Sequence, residues 1–449
     1  MAAVYGRVQC EFLRGKHNHE NAGRHERPSD HEYARTRFPQ HVAKLGCPPE
    51  RIDGPTRLLC SMLNTRLSHR CWAVTIAGLL MAPFVAGQSF TQHYGGMLSQ
   101  DGVGIAVRGG QYFTATTVFD STAQRHRGRV LITDSGGEQV SWNELLVDGA
   151  VFLQAAEEAS DGSIFVAGSV IPPGAVTHDG LLVKMDASGA VQWIAQPERM
   201  GDEQYFDLAA LPDGGVIACG LEATGSGHNA WISRFNADGG TLWNTSTGGP
   251  LDEEAYAVAV NANGAMMTGR QMNFGGTSDA WFGFVDLAGV VQMTTSFGGV
   301  GTESGRAIAN LGTDDFVMAG VTDSYGIYDA TEQRIKDNVY LVALHANGDS
   351  IWTRAVGDTL FDRGAWSMGV ADNGDLLVGG ERFTQALSNA LVYRLDGAGA
   401  FVWERAYDTG KEEKLLDLLV IPGGFVATGW SSTELSRQVL LLRRNDAGD

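Results

Sequence analysis

Six acidic side chains recur at nearly fixed spacing along this chain. Asp101, Asp202, Asp252, Glu303, Asp362 and Glu412 each fall nine to eleven positions after an aromatic residue or, once, a methionine. Oxygen ligands converging on an axis are what a hard cation such as Ca²⁺ requires, so the first chemistry this spacing offers is a cation ring. The competing reading is that each carboxylate caps its own turn through backbone N–H groups. A second set departs from the pattern: Glu157, Glu158, Asp207, Arg306 and Asp417 interrupt stretches that elsewhere are small and apolar. Buried charges must be paired or face water. A carboxylate pair in a water-filled channel is also the equipment of general acid and base catalysis, and a solvated wall with local salt links is the alternative. A third candidate is the pair Tyr325 and Tyr328 in the polar insertion from Asp323 to Asn338, where exposed tyrosines would serve recognition.

The elements that position these residues follow from one outline, seen most clearly from Trp243 to Gly289. An aromatic opens a short run to Gly248-Gly249, an acidic corner follows at Asp252, and then the apolar run Ala255 to Val260. A turn at Asn263-Gly264, two further runs and the turn Asp286 to Gly289 complete it. Runs of four to eight residues bounded by Gly, Asn or Asp predict antiparallel strands joined by hairpins. Units open at Phe90, Trp142, Trp193, Trp243, Met293, Trp352 and Trp403, at steps of 52, 51, 50, 50, 59 and 51 residues. A four-stranded unit repeated at about 40 to 50 residues predicts a propeller of blades around an axis. The last unit stops at Asp449, where each other unit enters its aromatic strand, and Ser89 to Tyr94 supplies the missing strand. The expectation is therefore all-β: seven four-stranded antiparallel blades, the ring closed by the N-terminal strand completing the last blade. The run after each acidic corner is expected innermost, where small residues suit converging blades, and Trp193, Trp243, Trp352 and Trp403 are expected to cover seams between blades.

The run Asp252, Ala255, Ala257-Val258-Ala259-Val260, Asn263-Gly264 and Thr268-Gly269, with Gly248-Gly249 upstream, resembles the bacterial seven-bladed β-propeller repeat abbreviated SBBP. The Asp, Gly and Trp of the turns at Asp238-Gly239-Trp243 and Asp186-Gly189-Trp193 are similar to the tryptophan-docking turns of quinoprotein-type propellers. The resemblance spans about residues 88 to 449 and implies the fold, while propellers host enzymes and passive binders alike. The adjacent cysteine pair of quinoprotein dehydrogenases has no match, because Cys219 stands alone after residue 88. The turn Asn236 to Trp243 approaches the structural turn of sialidases in one blade only.

Composition narrows the partners. Of 33 basic and 52 acidic residues, 12 and 7 lie in residues 1–87, leaving 21 and 45 in residues 88–449, a net of −24. Such a surface repels phosphate backbones and anionic membranes, which argues against nucleic acid. A charged segment around Arg66, His69 and Arg70, an apolar stretch from Cys71, and Val85 and Gly87 ahead of Gln88 read as a signal peptide over 62–87. Residues 1–61 then read as disordered or as an upstream extension, and residues 88–449 as the propeller. The apolar stretch is short for a bilayer span. No Gly-x-Ser-x-Gly elbow, P-loop or His-Glu-x-x-His helix is present. The sequence thus points to a secreted, periplasmic or cell-surface monomer binding a protein or carbohydrate ligand. The alternative is a hydrolase or lyase using channel-mouth carboxylates with a bound cation.

Overall fold

Short apolar runs stopped by turn residues fold as strands throughout, and every regular element among the described residues is a β-strand. The structure, a computed structural model, describes residues 88–449 apart from 97, 198–200, 226, 327, 359–360 and 385–386. The chain divides into two units, Met1–Gly78 and Leu79–Asp449, and the described residues belong to the second. The leader reading over 62–87 and the extension over 1–61 lie outside them.

Seven four-stranded antiparallel sheets are present, and a small hairpin is added in the fifth. Blades 1 to 6 span 100–144, 150–195, 203–247, 253–297, 303–356 and 362–407. In each, the first strand is innermost and touches the first strand of the next blade, from Gln100–Arg108 round to Glu413–Ile421. Blade 7 is built from both ends of the domain: Phe90–Tyr94 pairs antiparallel with Arg437–Asn445, with Phe90 opposite Arg443 and Thr91 opposite Leu442. Arg444 secures the join by donating to Phe90 O and Thr91 Oγ1, both at 2.6 Å.

The core is seven separate apolar clusters, one at each seam. Between blades 3 and 4, for example, Ile217, Cys219 and Ile232 pack on Val258, Met267 and Val285, with Trp243 laid against them. In five blades the opening aromatic of the outer strand rests on a glycine in the next blade's last turn. Trp243 Nε1 donates to Leu287 O at 3.0 Å, and a Cβ on Gly289 would come within 2.8 Å of its ring. Gly289 also has φ +87°, so both the turn and the close approach exclude a side chain. Trp193, Trp352, Trp403 and Phe90 sit likewise on Gly239, Gly399, Gly448 and Gly137, and Met293 on Gly348. In blade 3 the side chain that caps this turn is Asn236, three residues before Gly239, and not Asp238: the Asn236 Oδ1 accepts from Asp238 N and Gly240 N.

Trp142 departs from this scheme. Its unit carries one extra residue after Gly137, and with a side-chain period of two a one-residue slip turns a side chain to the other face. Trp142 therefore packs backward beside Phe90 at the seam of blades 7 and 1. Asn143 takes the forward place, donating from Nδ2 to Gly189 O at 2.9 Å.

Removing residues 88–96 exposes the edge of Arg437–Asn445 and uncovers Gly137. Losing a buried aromatic, here Tyr94, costs about 3–5 kcal/mol, so Tm in a thermal melt should fall by roughly 5–10 °C. Self-association should appear by light scattering as the edge is bared. An unchanged Tm in a monomeric truncation would place the closure elsewhere.

Candidate functional site

Every inner strand carries a β-bulge at the same register. The ladder to the second strand skips one residue in each blade: Val103, Gln154, Phe206, Tyr256, Arg306, Trp366 and Leu416. A bulged residue is released from pairing and its strand bends. All seven line one central cavity of about 480 Å³.

Antiparallel order places the outer-to-inner corners and the loops between second and third strands on one face of the ring, the upper face. The two kinds of hairpin turn lie on the lower face. The cavity consequently has an upper mouth before the bulges and a lower reach beyond them.

Below the bulges sit three carboxylates, and each is bonded to the free edge of the following blade. Asp417 accepts from Ile105 N at 2.8 Å, Asp207 from Val258 N at 2.9 Å and Glu157 from Ala210 N at 3.0 Å. Burial, assisted by mutual repulsion, pushes Asp207 up to about 8 and Glu157 up to about 7, against the lowering effect of those N–H donors. Burial likewise pushes Asp417 up to about 6. Glu158 is more exposed and pairs with Arg108 at 2.8 Å. Glu157, Asp207, Arg306 and Asp417 thus share one cavity, yet no hydrogen bond or ion pair joins any two of them among the described residues.

At the upper mouth, charge and aromatic rings alternate. The Arg306 guanidinium lies 4.2 Å from the Tyr256 ring centroid and 4.9 Å from that of Trp366, with Nε donating to Ser304 Oγ at 3.2 Å. Lys414 Nζ lies 3.4 Å from the Trp366 centroid and 2.8 Å from Glu381. Glu254 holds Arg270 through two bonds of 2.9 and 3.1 Å and accepts the Tyr256 hydroxyl. Phe206 extends the aromatic arc, 5.6 Å from Tyr256. Burial lowers the pKa of Arg306 and of Lys414, and a guanidinium stays charged regardless. Of this mouth only Arg306 and Asp101 stood out in the sequence. The signal that would have found Phe206, Tyr256 and Trp366 is the one inner-strand position that is Val, Gln, Phe, Tyr, Arg, Trp and Leu in successive units.

The six recurring acids are held in three different registers. Counted from the bulge, Asp202, Asp252, Asp362 and Glu412 stand four residues before it, Glu303 three and Asp101 two. Asp202, Asp252 and Asp362 accept backbone N–H groups of the preceding blade's loop, from His178, His228 and Asp337 at 3.2, 2.8 and 2.9 Å. Asp101 faces Arg437 at 3.3 Å, and Glu412 joins Ser432 through its backbone. Glu303 belongs with Glu253 as a buried cap: each accepts, at 2.8 Å, from the glycine N–H four residues earlier, Gly299 and Gly249. Among the described residues no group of three or more His, Cys, Asp and Glu side chains is placed to hold a metal ion.

The insertion in blade 5 forms a hairpin, Tyr328–Asp329 with Arg334–Ile335, on the upper face. Buried Lys336 ties it down through Glu332 at 2.5 Å and Asp362 at 3.8 Å. Tyr325 donates its hydroxyl to Gly298 O and stacks on Tyr340 at 5.5 Å, while Tyr328 is 57% exposed.

No protein-family model and no curated protein sequence matches this chain. Among solved structures it is similar to the β-propeller domain of the Trilobed protease from Pyrococcus furiosus, with a TM-score of 0.46 at 8% identity over 79% of this chain and 93% of that one. It is similar to the WD40 domain of Neurospora crassa Pan2, with a TM-score of 0.46 at 8% identity over 79% and 98%. It is also similar to Chaetomium thermophilum Sqt1 bound to the N-terminus of ribosomal protein L10, with a TM-score of 0.45 at 12% identity over 76% and 84%. These are likenesses of fold, without bearing on ligand or chemistry.

The carboxylates below the bulges make a pH prediction. Their pKa values in the folded protein exceed the unfolded value of about 4, so between about pH 4 and 8 the folded form holds protons the unfolded chain has released. Stability contributed by these groups is full below pH 4 and is lost as pH rises toward 8. Asp207→Asn keeps an oxygen for Val258 N–H and removes the titration. Its Tm should fall less between pH 5 and 8.5 than that of the unaltered protein, and parallel curves would contradict the assignment.

Proposed function

We propose that residues 88–449 form an exported binding module, a relative of the bacterial SBBP propellers, whose upper face receives a protein ligand. The observation that carries this reading is the distribution of exposed apolar side chains. Apart from those on outer strands and the turn entering one of them, all lie at the upper face. Leu146, Val176, Phe274, Val300 and Leu435 are 84–92% exposed at loop tips of different blades, and Tyr328 joins them from the hairpin. Exposed apolar groups gathered on one face mark a contact surface. Their spread around the ring suits a macromolecule better than a small molecule, and the net of −24 over residues 88–449 favours a partner that is not acidic.

The enzymatic alternative is less well supported, because the channel carboxylates are engaged with backbone N–H groups and not with one another. Export rests on the leader-like segment before Gln88. N-terminal sequencing of protein recovered outside the cell should begin at Gln88, and a chain retained inside with residues 62–87 attached speaks against export.

For binding, the test compares two variants on beads exposed to extracellular protein of the source organism. A triple change at loop tips, Val176→Ser, Phe274→Ser and Leu435→Ser, should abolish retention of a partner. A change on an outer strand, Ile351→Ser, should keep it. A partner held equally by both, or lost from both, overturns the assignment of the upper face.

A further inference from the structure

Among the described residues, Arg306 is the one cation at the upper mouth that forms no ion pair. Its neighbours are matched: Arg270 with Glu254 at 2.9 Å, Lys414 with Glu381 at 2.8 Å, Arg437 with Asp101 at 3.3 Å. Among the described residues no carboxylate forms an ion pair with Arg306; its contacts are Ser304 Oγ, Tyr256 and Trp366. The bulge explains the exposure, since the residue it releases points into the cavity. A guanidinium held between two rings has its plane set and its side-chain entropy already spent, and its fork matches a carboxylate. Partial burial removes the water that would otherwise weaken such a contact.

We propose that the upper mouth of the channel is a binding site for a monocarboxylate with an apolar body, its carboxylate taken by Arg306. This site does not depend on a protein ligand at the loop tips. The apolar body has a surface to lie on: Phe206 and Tyr256 form one arc, and Val103 and Leu416 line the other side of the same cavity. A volume of about 480 Å³ is of ligand-pocket size. Selectivity for a single negative charge follows from the surroundings. Glu254 and Glu381 flank the mouth and Asp417 lies deeper, so a second anionic group directed at any of these carboxylates would be opposed. The same chemistry is presented by a free organic acid and by the C-terminus of a peptide.

The Trp366 ring lies 4.9 Å from the Arg306 guanidinium, so it reports on the site. Protein labelled with 5-fluorotryptophan, with the Trp366 resonance identified by Trp366→Phe, is titrated with benzoate and followed by ¹⁹F NMR. Benzoate should shift that resonance saturably, whereas benzamide, of the same shape without the charge, should not. Arg306→Gln should raise the Kd for benzoate at least about tenfold, as loss of a charge-assisted pair predicts, and Arg306→Lys should fall between. A parallel titration compares N-acetylphenylalanine with its amide. Binding of the acid more tightly than benzoate assigns the site to peptide C-termini, and the reverse assigns it to free organic acids. The proposal is overturned if no carboxylate moves the Trp366 resonance, if benzamide or sulfate binds as well as benzoate, or if Arg306→Gln leaves the Kd unchanged. The benzoate and benzamide comparison on the unaltered protein stands even if a variant fails to fold.

Discussion

The constraint on which this ring depends is the unpaired edge of a β-sheet. Each blade has two, and the backbone N–H and C=O groups along them must find partners or water. At the outside of blade 7 the solution is a strand from the other end of the domain, Phe90–Tyr94, and that pairing is what makes the seven sheets a closed circle. At the axis no further strand can enter, and the inner edges are served by side chains of the neighbouring blade. Asp417, Glu157 and Asp207 accept from backbone N–H groups, as does Thr117 from Leu153 N at 2.9 Å, and Asn310 donates to Val260 O at 2.7 Å. A buried N–H left without an acceptor costs about 1–3 kcal/mol. Polar residues in otherwise apolar strands are therefore explained by what they satisfy.

The bulge is the second consequence of crowding at the axis. Seven inner strands converge there, and bending each at the same register frees one side chain per blade to face the cavity. The mouth is distinguished by those seven positions and the residues two before them, with Arg270, Glu381 and Arg437 paired to three of the latter. Small residues immediately after the bulge, Gly104, Ala155, Ala257 and Ala307, let the neighbouring inner strand approach. A Cβ on Gly104 would stand 2.4 Å from Ala156 N. Where that position is instead Asp207 or Asp417, the side chain spans the gap and bonds across it.

The two faces of the ring are consequently unequal. The lower face is made of short turns; those ahead of the outer strands include turns capped by Asn236 and Asp286, and five of them lie under an aromatic from the preceding blade. The upper face carries the longer loops, the hairpin of blade 5 and the mouth with its unpaired guanidinium. Rigidity below and variation above is the usual division between scaffold and recognition surface.

Period, blade count and ring closure were legible in the sequence, because each rests on local chemistry that repeats: Gly at a turn with positive φ, an aromatic at a fixed distance from it, and a final unit lacking one strand. Trp142 shows the limit of such reading, since one extra residue turns its side chain to the opposite seam. The acidic corners show it again. Asp101, Glu303 and the other four look alike by distance from the aromatic, yet they occupy three registers, because corner lengths differ while the bulge does not move. That Glu157, Asp207, Arg306 and Asp417 reach one cavity, and that Tyr256 and Trp366 flank Arg306, was decided by the tertiary structure alone. These residues are fifty or more positions apart along the chain, as Arg306 is from Tyr256, and become neighbours only when blades are brought round a common axis. Spacing within a repeat determines where a side chain sits in its own blade; what faces it across the channel is set by the closure of the ring.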